Sequence, residues 1–227
     1  MKRSIIRDPS ARTRIWDLPT RLFHWLLAAL VVFSFTTGKL GGDWLTWHFR
    51  SGYAIASLLL FRLLWGFAGS CYARFASFLP SPSRIWRTLR STGPDVLPAS
   101  AGHSAVGTLS VYALLIVLAV QISTGVFTND GSFTEGPWVK FVSSALSDRL
   151  STVHYYNHWL VIGLTVLHVA AIGFYLLVRR DDLITPMLTG DKLGLAAPAA
   201  EDGAAIRLRA AVLVMAAAGL ISYLVTL

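Results

Sequence analysis

Cysteine and charge are what this 227-residue chain has least of. Its lone cysteine, Cys71, excludes an intrachain disulfide. No C-x-x-C-H stretch occurs, so covalent c-type haem attachment is excluded, and cysteine-held iron–sulfur clusters with it. Charged residues make up only 14% of the chain against 54% hydrophobic ones. With a mean hydropathy of +0.57, that is too little polar material to cover a soluble core. A short apolar segment followed by a small-residue cleavage site is also missing before the first long apolar run. The N-terminus therefore reads as a retained cytosolic segment and not as a removed signal.

What the chain has in quantity is apolar runs near 20 residues, the length that crosses a bilayer. Five stand out: Leu22–Gly38, His48–Phe67, Ser104–Val126, Val153–Val178 and Ile206–Val225. The net charge of +8 would suggest nucleic acid in a soluble protein, but its distribution excludes that partner. Lys2, Arg3, Arg7, Arg12, Arg14 and Arg21 precede the first run; Arg74, Arg84, Arg87 and Arg90 follow the second; Arg179 and Arg180 close the fourth. The other connections are short or balanced. Alternate basic loops predict a cytoplasmic N-terminus and, with five spans, a periplasmic C-terminus in a bacterial inner membrane.

The expected organisation is a cytoplasmic basic segment over residues 1–21, a four-helix core over 22–192, a loop over 193–205 and an extra span over 206–227, with no internal repeat. Pro80–Arg90 reads as a basic amphipathic stretch on the headgroups. Asn129–Ser151 reads as an outer connection carrying a surface helix.

Five of the six histidines lie in these apolar runs, where an ionisable side chain marks function, and four of them fall at matching depths. His154 and His168 share the fourth run 14 residues apart, about 21 Å along a helix and within about 40° of one face. His24 enters the first run from the same side that His168 approaches. His48 opens the second run on the side where His154 opens the fourth. The depth pairing is therefore His24 with His168 and His48 with His154. Two histidine pairs at two depths suit two bis-histidine haems, about 21 Å apart, which transfer electrons without an open iron position.

Neighbouring residues extend this site. Gly52, one turn after His48, leaves room for a porphyrin, or simply for close helix packing. Arg62, 14 residues beyond His48, and Arg21, one turn before His24, are placed for haem propionates; surface snorkelling is the competing reading for Arg62. His158, four residues after His154, has the spacing of a zinc pair but lacks a third ligand. It is expected to serve as a propionate, quinone or water partner. His103 reads as an interfacial residue heading the third span. Gln121, Ser123, Thr124 and Gly125 read as inter-helix packing and hydrogen bonding and not as a site.

These residues carry a family resemblance. Trp16-Asp17-Leu18-Pro19-Thr20-Arg21-Leu22-Phe23-His24-Trp25, the His48–Gly52 spacing, Arg62-Leu63-Leu64-Trp65-Gly66 with Arg74-Phe75, Gly102-His103 with Gly107, His154 with His168, and Leu183-Ile184-Thr185-Pro186-Met187 form the pattern. Over about residues 14–192 the chain resembles the prokaryotic cytochrome b561 family, related to hydrogenase cytochrome b subunits. The resemblance implies an all-α integral membrane protein: a four-helix haem-binding bundle plus a fifth C-terminal transmembrane helix outside the haem core. It also implies two haem b groups, with His24, His48, His154 and His168 as iron ligands. The expected function is transmembrane electron transfer between the quinone pool and a periplasmic redox partner such as a c-type cytochrome, with a bound quinone and a homodimer as further expectations. Two alternatives are superoxide oxidation with quinone as acceptor, for which Lys140 and Arg149 would attract the anion, and a haem-b anchor subunit of a dehydrogenase or hydrogenase.

Overall fold

The computed structural model describes residues 11–79, 81–83, 86, 90, 102–129 and 134–227. Five long helices carry the architecture: α1 (Leu18–Leu40), α2 (Trp44–Ala68), α3 (Ala105–Gly125), α4 (Ser144–Leu177) and, after the short α5 (Ile184–Thr189), α6 (Ala204–Leu224). All five are long and apolar enough to cross a membrane. Their outward faces carry large apolar side chains such as Val32, Phe67, Val166, Leu167 and Met215, all exposed. Such a surface suits hydrocarbon and not water.

Local chemistry sets the helix ends. The Asp17 side chain accepts from the Thr20 N–H at 2.7 Å, with Pro19 in the first turn of α1. Ser104 and Ser143 cap α3 and α4 in the same way. Each such cap satisfies an otherwise orphaned donor and contributes about 1 kcal/mol. Between α1 and α2 the chain reverses through Gly41 and Gly42, with φ of +65° and +54°. That left-handed pair permits a tight turn, so α1 and α2 run antiparallel.

The close helix pairings are α1 with α2, α3 with α4, and α2 with α6, with a lesser contact between α2 and α3. The main core gathers Phe23 of α1, Phe61 and Trp65 of α2, and Ile206, Ala210 and Ala217 of α6. Thus α6 packs on the far side of α2. Residues 12–14 (β1) pair antiparallel with residues 191–193 (β2), Arg12 opposite Leu193. Ile15, Trp16 and Leu195 bury a second cluster beside this ribbon.

Several sequence expectations change. α4 begins nine residues before the apolar run at Val153, because Ser144–Thr152 form two and a half polar turns that a hydropathy window does not register. With 34 residues it is about 51 Å long, more than a bilayer core needs. The expected separate surface helix is absent among the described residues: Val139–Phe141 form one 3₁₀ turn, and Leu146 already belongs to α4. The stretch after Arg180 is not only loop, since α5 and β2 lie within it. Residues 1–10, most of Pro80–Arg90 and 130–133 lie outside the described residues. Trp86 and Arg90 are described and helical, the guanidinium 4.2 Å from the indole centre.

Candidate cofactor site between two helix hairpins

The α1/α2 and α3/α4 hairpins face each other across the bundle, and histidine rings meet there at two levels. The ring centres of His24 and His168 are 6.3 Å apart. Those of His48 and His154 are 6.1 Å apart. Two imidazoles bonded through nitrogen to opposite sides of one metal ion, at about 2.0–2.1 Å each, place their ring centres about 6 Å apart. Both spacings therefore fit a six-coordinate haem iron with two histidines. Among the described residues no group of three or more His, Cys, Asp or Glu side chains gathers as an alternative metal site.

The proton positions at one level favour ligation. His48 Nδ1 lies 2.8 Å from the Ser34 carbonyl, and His154 Nδ1 lies 2.9 Å from the Gln121 carbonyl. A carbonyl only accepts, so in both rings Nδ1 carries the proton and Nε2 the lone pair. At His154 that lone pair is occupied by the Gln121 amide N–H at 3.1 Å, which a bound metal would have to displace, and Asn157 holds the same amide through its Oε1 at 2.7 Å.

Space at this level is made by glycine. A methyl group at Gly38 would stand 2.9 Å from His48 Nδ1, and one at Gly125 would stand 2.9 Å from His154 Cε1. Each ring thus lies against the backbone of the neighbouring helix. Gly52 has nothing within 4 Å of the position a side chain would take, so the space beside His48 is open. Gln121, Thr124 and Gly125, expected to serve inter-helix packing and hydrogen bonding, do so against His154 itself.

The other level is built differently. His24 Nδ1 is buried and has no hydrogen-bond partner, and His168 makes no hydrogen bond among the described residues. Arg21, one turn before His24, donates through Nη1 to the Leu188 carbonyl at 2.5 Å, while its buried Nε has no partner. Trp25 donates to the Met187 carbonyl at 3.2 Å. The orphaned Arg21 N–H is a fitting place for an anionic group such as a propionate.

Arg62 does not snorkel. It is 4% exposed, its guanidinium 4.9 Å from the Phe75 ring centre and 5.8 Å from that of Phe78, and its Nη1 is unpartnered. His103 heads the third span as expected, one residue before the Ser104 cap, but it is enclosed. Its ring packs between Trp16 at 4.8 Å and Phe78 at 4.5 Å. Burial, and then the nearby Arg62 charge, push its pKa down to about 3. His158 meets no second histidine across the gap. It lies against Phe35 and Trp159, with Lys39 Nζ 3.4 Å from its Nε2. Lys140 donates to the Leu227 carbonyl, and Arg149 is exposed.

The sequence model of prokaryotic cytochrome b561 matches residues 15–190, which span both histidine levels. The chain belongs to the prokaryotic cytochrome b561 family. A probable Ni/Fe-hydrogenase B-type cytochrome subunit from Azotobacter chroococcum mcd 1 is 24% identical over 207 residues, 78% of this chain and 86% of that protein. A subunit of the same description from Rhizobium leguminosarum bv. viciae is 21% identical over 211 residues, 79% and 88% of the two chains. No solved structure matches. Membership makes this a multi-pass membrane protein of the b-type cytochrome class, with electron transfer as its chemistry and haem b as its group. The α6 helix begins beyond the matched residues.

Proposed function

We propose that the chain conducts electrons across a bacterial inner membrane through two haem b groups, one held by His24 and His168 and the other by His48 and His154. The carrying observation is the pair of imidazole spacings, 6.3 and 6.1 Å, at two levels of one bundle. Bis-histidine haem supplies reversible one-electron chemistry with no open position for substrate on iron. Ser34 and Gln121 fix the donor nitrogens of the outer pair, and Gly52 keeps the neighbouring space open. Arg21 and Arg62 contribute positive charge at the inner level, Arg21 through an N–H free to meet a propionate. The arginine-rich connections are assigned to the cytoplasm and the C-terminus to the periplasm.

Quinone is the proposed lipid-soluble partner. An apolar groove runs along α1 past Trp25, Ala28, Ala29, Val32, Phe33 and Thr36, and the Trp25 indole lies 4.9 Å from the His24 ring. A quinone ring arriving from lipid along this groove reaches the inner level without crossing water. At the outer end a c-type cytochrome or another redox protein is the proposed partner. The names of the relatives favour a second reading, a membrane-bound cytochrome subunit that accepts electrons from a hydrogenase. Superoxide oxidation has less support, because Lys140 is engaged with the Leu227 carbonyl.

Purified protein should contain two non-covalent haem b groups per chain, both reducible anaerobically by quinol or by dithionite. His154→Ala should remove one and spare the other. A colourless protein obtained with ample haem supply, or one haem per chain, would overturn the proposal.

A further inference from the structure

Every buried side-chain nitrogen or oxygen that lacks a hydrogen-bond partner among the described residues belongs to one end of the bundle. The six atoms are Asp17 Oδ2, Arg21 Nε, His24 Nδ1, Arg62 Nη1, Ser70 Oγ and His103 Nδ1. No such atom lies at the outer level, where His48 and His154 both donate through Nδ1 to carbonyls.

The six fall in a line. Asp17 caps α1, Ser70 follows the end of α2 and His103 precedes α3, so these three stand at the cytoplasmic edge. Arg62, about two turns inside α2 from that edge, lies within electrostatic reach of both Asp17 and His103. Asp17, Arg21 and His24 then follow at steps of four and three residues, which is one helix face rising about 10 Å. The last of them meets the apolar groove, since the His24 ring is 4.9 Å from that of Trp25.

A buried polar atom without a partner is costly, and a charged one more so. Asp17, Arg62 and Ser70 are 0%, 4% and 3% exposed. No direct ion pair joins the Asp17 carboxylate to the Arg62 guanidinium among the described residues. Their charges cancel, so the group that completes them is neutral; it must donate to Asp17 and accept from Arg62. Water does both.

We infer that the six groups line a file of water through which protons pass between the cytoplasmic surface and a quinone ring at the inner level. This rests on the quinone reading above. Interconversion of quinone and quinol moves two electrons, singly through the inner centre, and two protons. Each proton forms or breaks an O–H bond at a ring oxygen. In an apolar groove that ring is cut off from bulk water, so its protons need a hydrated path. Arg62 alone would repel a proton, as cations do in pores that exclude them, and Asp17 offsets that charge. The Ser70 hydroxyl and a neutral His103 ring can each donate and accept, which lets them join the file.

The first test needs no quinone. Pulsed X-ray radiolysis of the detergent-purified holoprotein generates hydroxyl radicals from water in place, and mass spectrometry locates the side chains they oxidise. Trp16 and Phe78 flank His103 and are 7% and 6% exposed. Both should be labelled at least tenfold faster than Phe61, which is 2% exposed in the apolar core beside Trp65. Equal protection of all three would overturn the water file. The second test compares haem reduction by a short-chain quinol with reduction by dithionite, which needs no proton path. Asp17→Asn keeps an oxygen to cap α1 but leaves Arg62 uncompensated. The quinol rate should therefore fall at least tenfold while haem content and the dithionite rate hold. An unchanged quinol rate, or equal slowing with both reductants, would overturn the proton role. Should that variant lose its haem, His103→Leu undergoes the same comparison with the same expected split. Wild-type haems that exchange no electrons with quinol would sink the quinone reading, and the labelling alone then upholds or overturns the hydrated file.

Discussion

Asp202 ties four parts of the chain together, and Asp202→Asn is the perturbation that measures the tie. Its Oδ1 accepts the Leu18 N–H at 3.0 Å and Arg207 Nε at 3.3 Å. Its Oδ2 receives Arg14 Nη1, with Arg21 Nη2 at 4.0 Å. The carboxylate side chain is 6% exposed, while those of Arg14 and Arg207 are 30% and 52% exposed. An exposed ion pair contributes about 0.2–1 kcal/mol, and breaking a buried one costs about 3–5. A buried carboxylate with half-open partners falls between, so the asparagine variant should lose about 2–3 kcal/mol. For a chain of this size that lowers the melting temperature by about 4–12 °C. Far-UV circular dichroism during heating in detergent reads the change.

Acid provides an independent arm of the same measurement. Burial alone would raise the Asp202 pKa, but the Leu18 N–H, then Arg207 and Arg14, outweigh it and hold the carboxyl below its ordinary value. A carboxyl depressed in the fold stabilises above its unfolded pKa of about 3.9 and loses that contribution as pH falls through the folded value. The gap between wild type and D202N should therefore be full at neutral pH and close below about pH 4. Equal melting temperatures at neutral pH would refute the clamp, as would a gap that persists in strong acid.

Other sites give sharper local tests. Gly52→Leu fills open space, so the apo fold should melt as wild type while haem content at the His48 level falls; full haem loading would show that no ring lies there. Gly66→Ala puts a methyl 2.0 Å from the Phe75 ring and should destabilise by about 1–3 kcal/mol, readable in the same thermal assay, and an unchanged melt would contradict the packing. His103, neutral in the fold with a pKa of about 3 against an ordinary 6.5, binds its proton more readily when unfolded. Stability should thus fall as pH drops from about 6.5 toward 3, and His103→Leu should flatten that part of the profile; an unchanged slope would place the titration elsewhere.

Which features were legible in the sequence follows from the range of the interaction behind each. Spans were legible because hydrocarbon demands an unbroken apolar run, and depth was legible because helical rise is fixed. Those two quantities alone paired His24 with His168 and His48 with His154, and the bundle brings the same rings together. Helix starts were less legible. Ser144–Thr152 are too polar to count as membrane, so α4 seemed to begin at Val153, although Ser143 caps it ten residues earlier. The burial of Arg62, for which propionate contact and snorkelling both stood open, and that of His103 were illegible for one shared reason. Their shelter comes from Trp16, Phe75 and Phe78, which stand far from one or both of them in sequence.

The surroundings of His48 and His154 illustrate a different limit: Ser34 to Gly38 of α1 and Gln121 to Gly125 of α3 meet the two rings in the same way, with a main-chain carbonyl at Nδ1 and a glycine against the ring. Ser-Phe-Thr-Thr-Gly and Gln-Ile-Ser-Thr-Gly share only their closing Thr-Gly, and the connection from glycine to histidine is 10 residues in one hairpin and 29 in the other. No periodicity links them, because the groups that contact the histidines are a main-chain carbonyl, which every residue possesses, and an empty volume, which no side chain announces. Sequence identity therefore falls where the physical requirement is least specific. The repetition becomes visible only once both rings are seen against both helices. Two hairpins thus reached one solution at one end of the bundle, whereas at the other end His24 keeps a buried nitrogen without a partner.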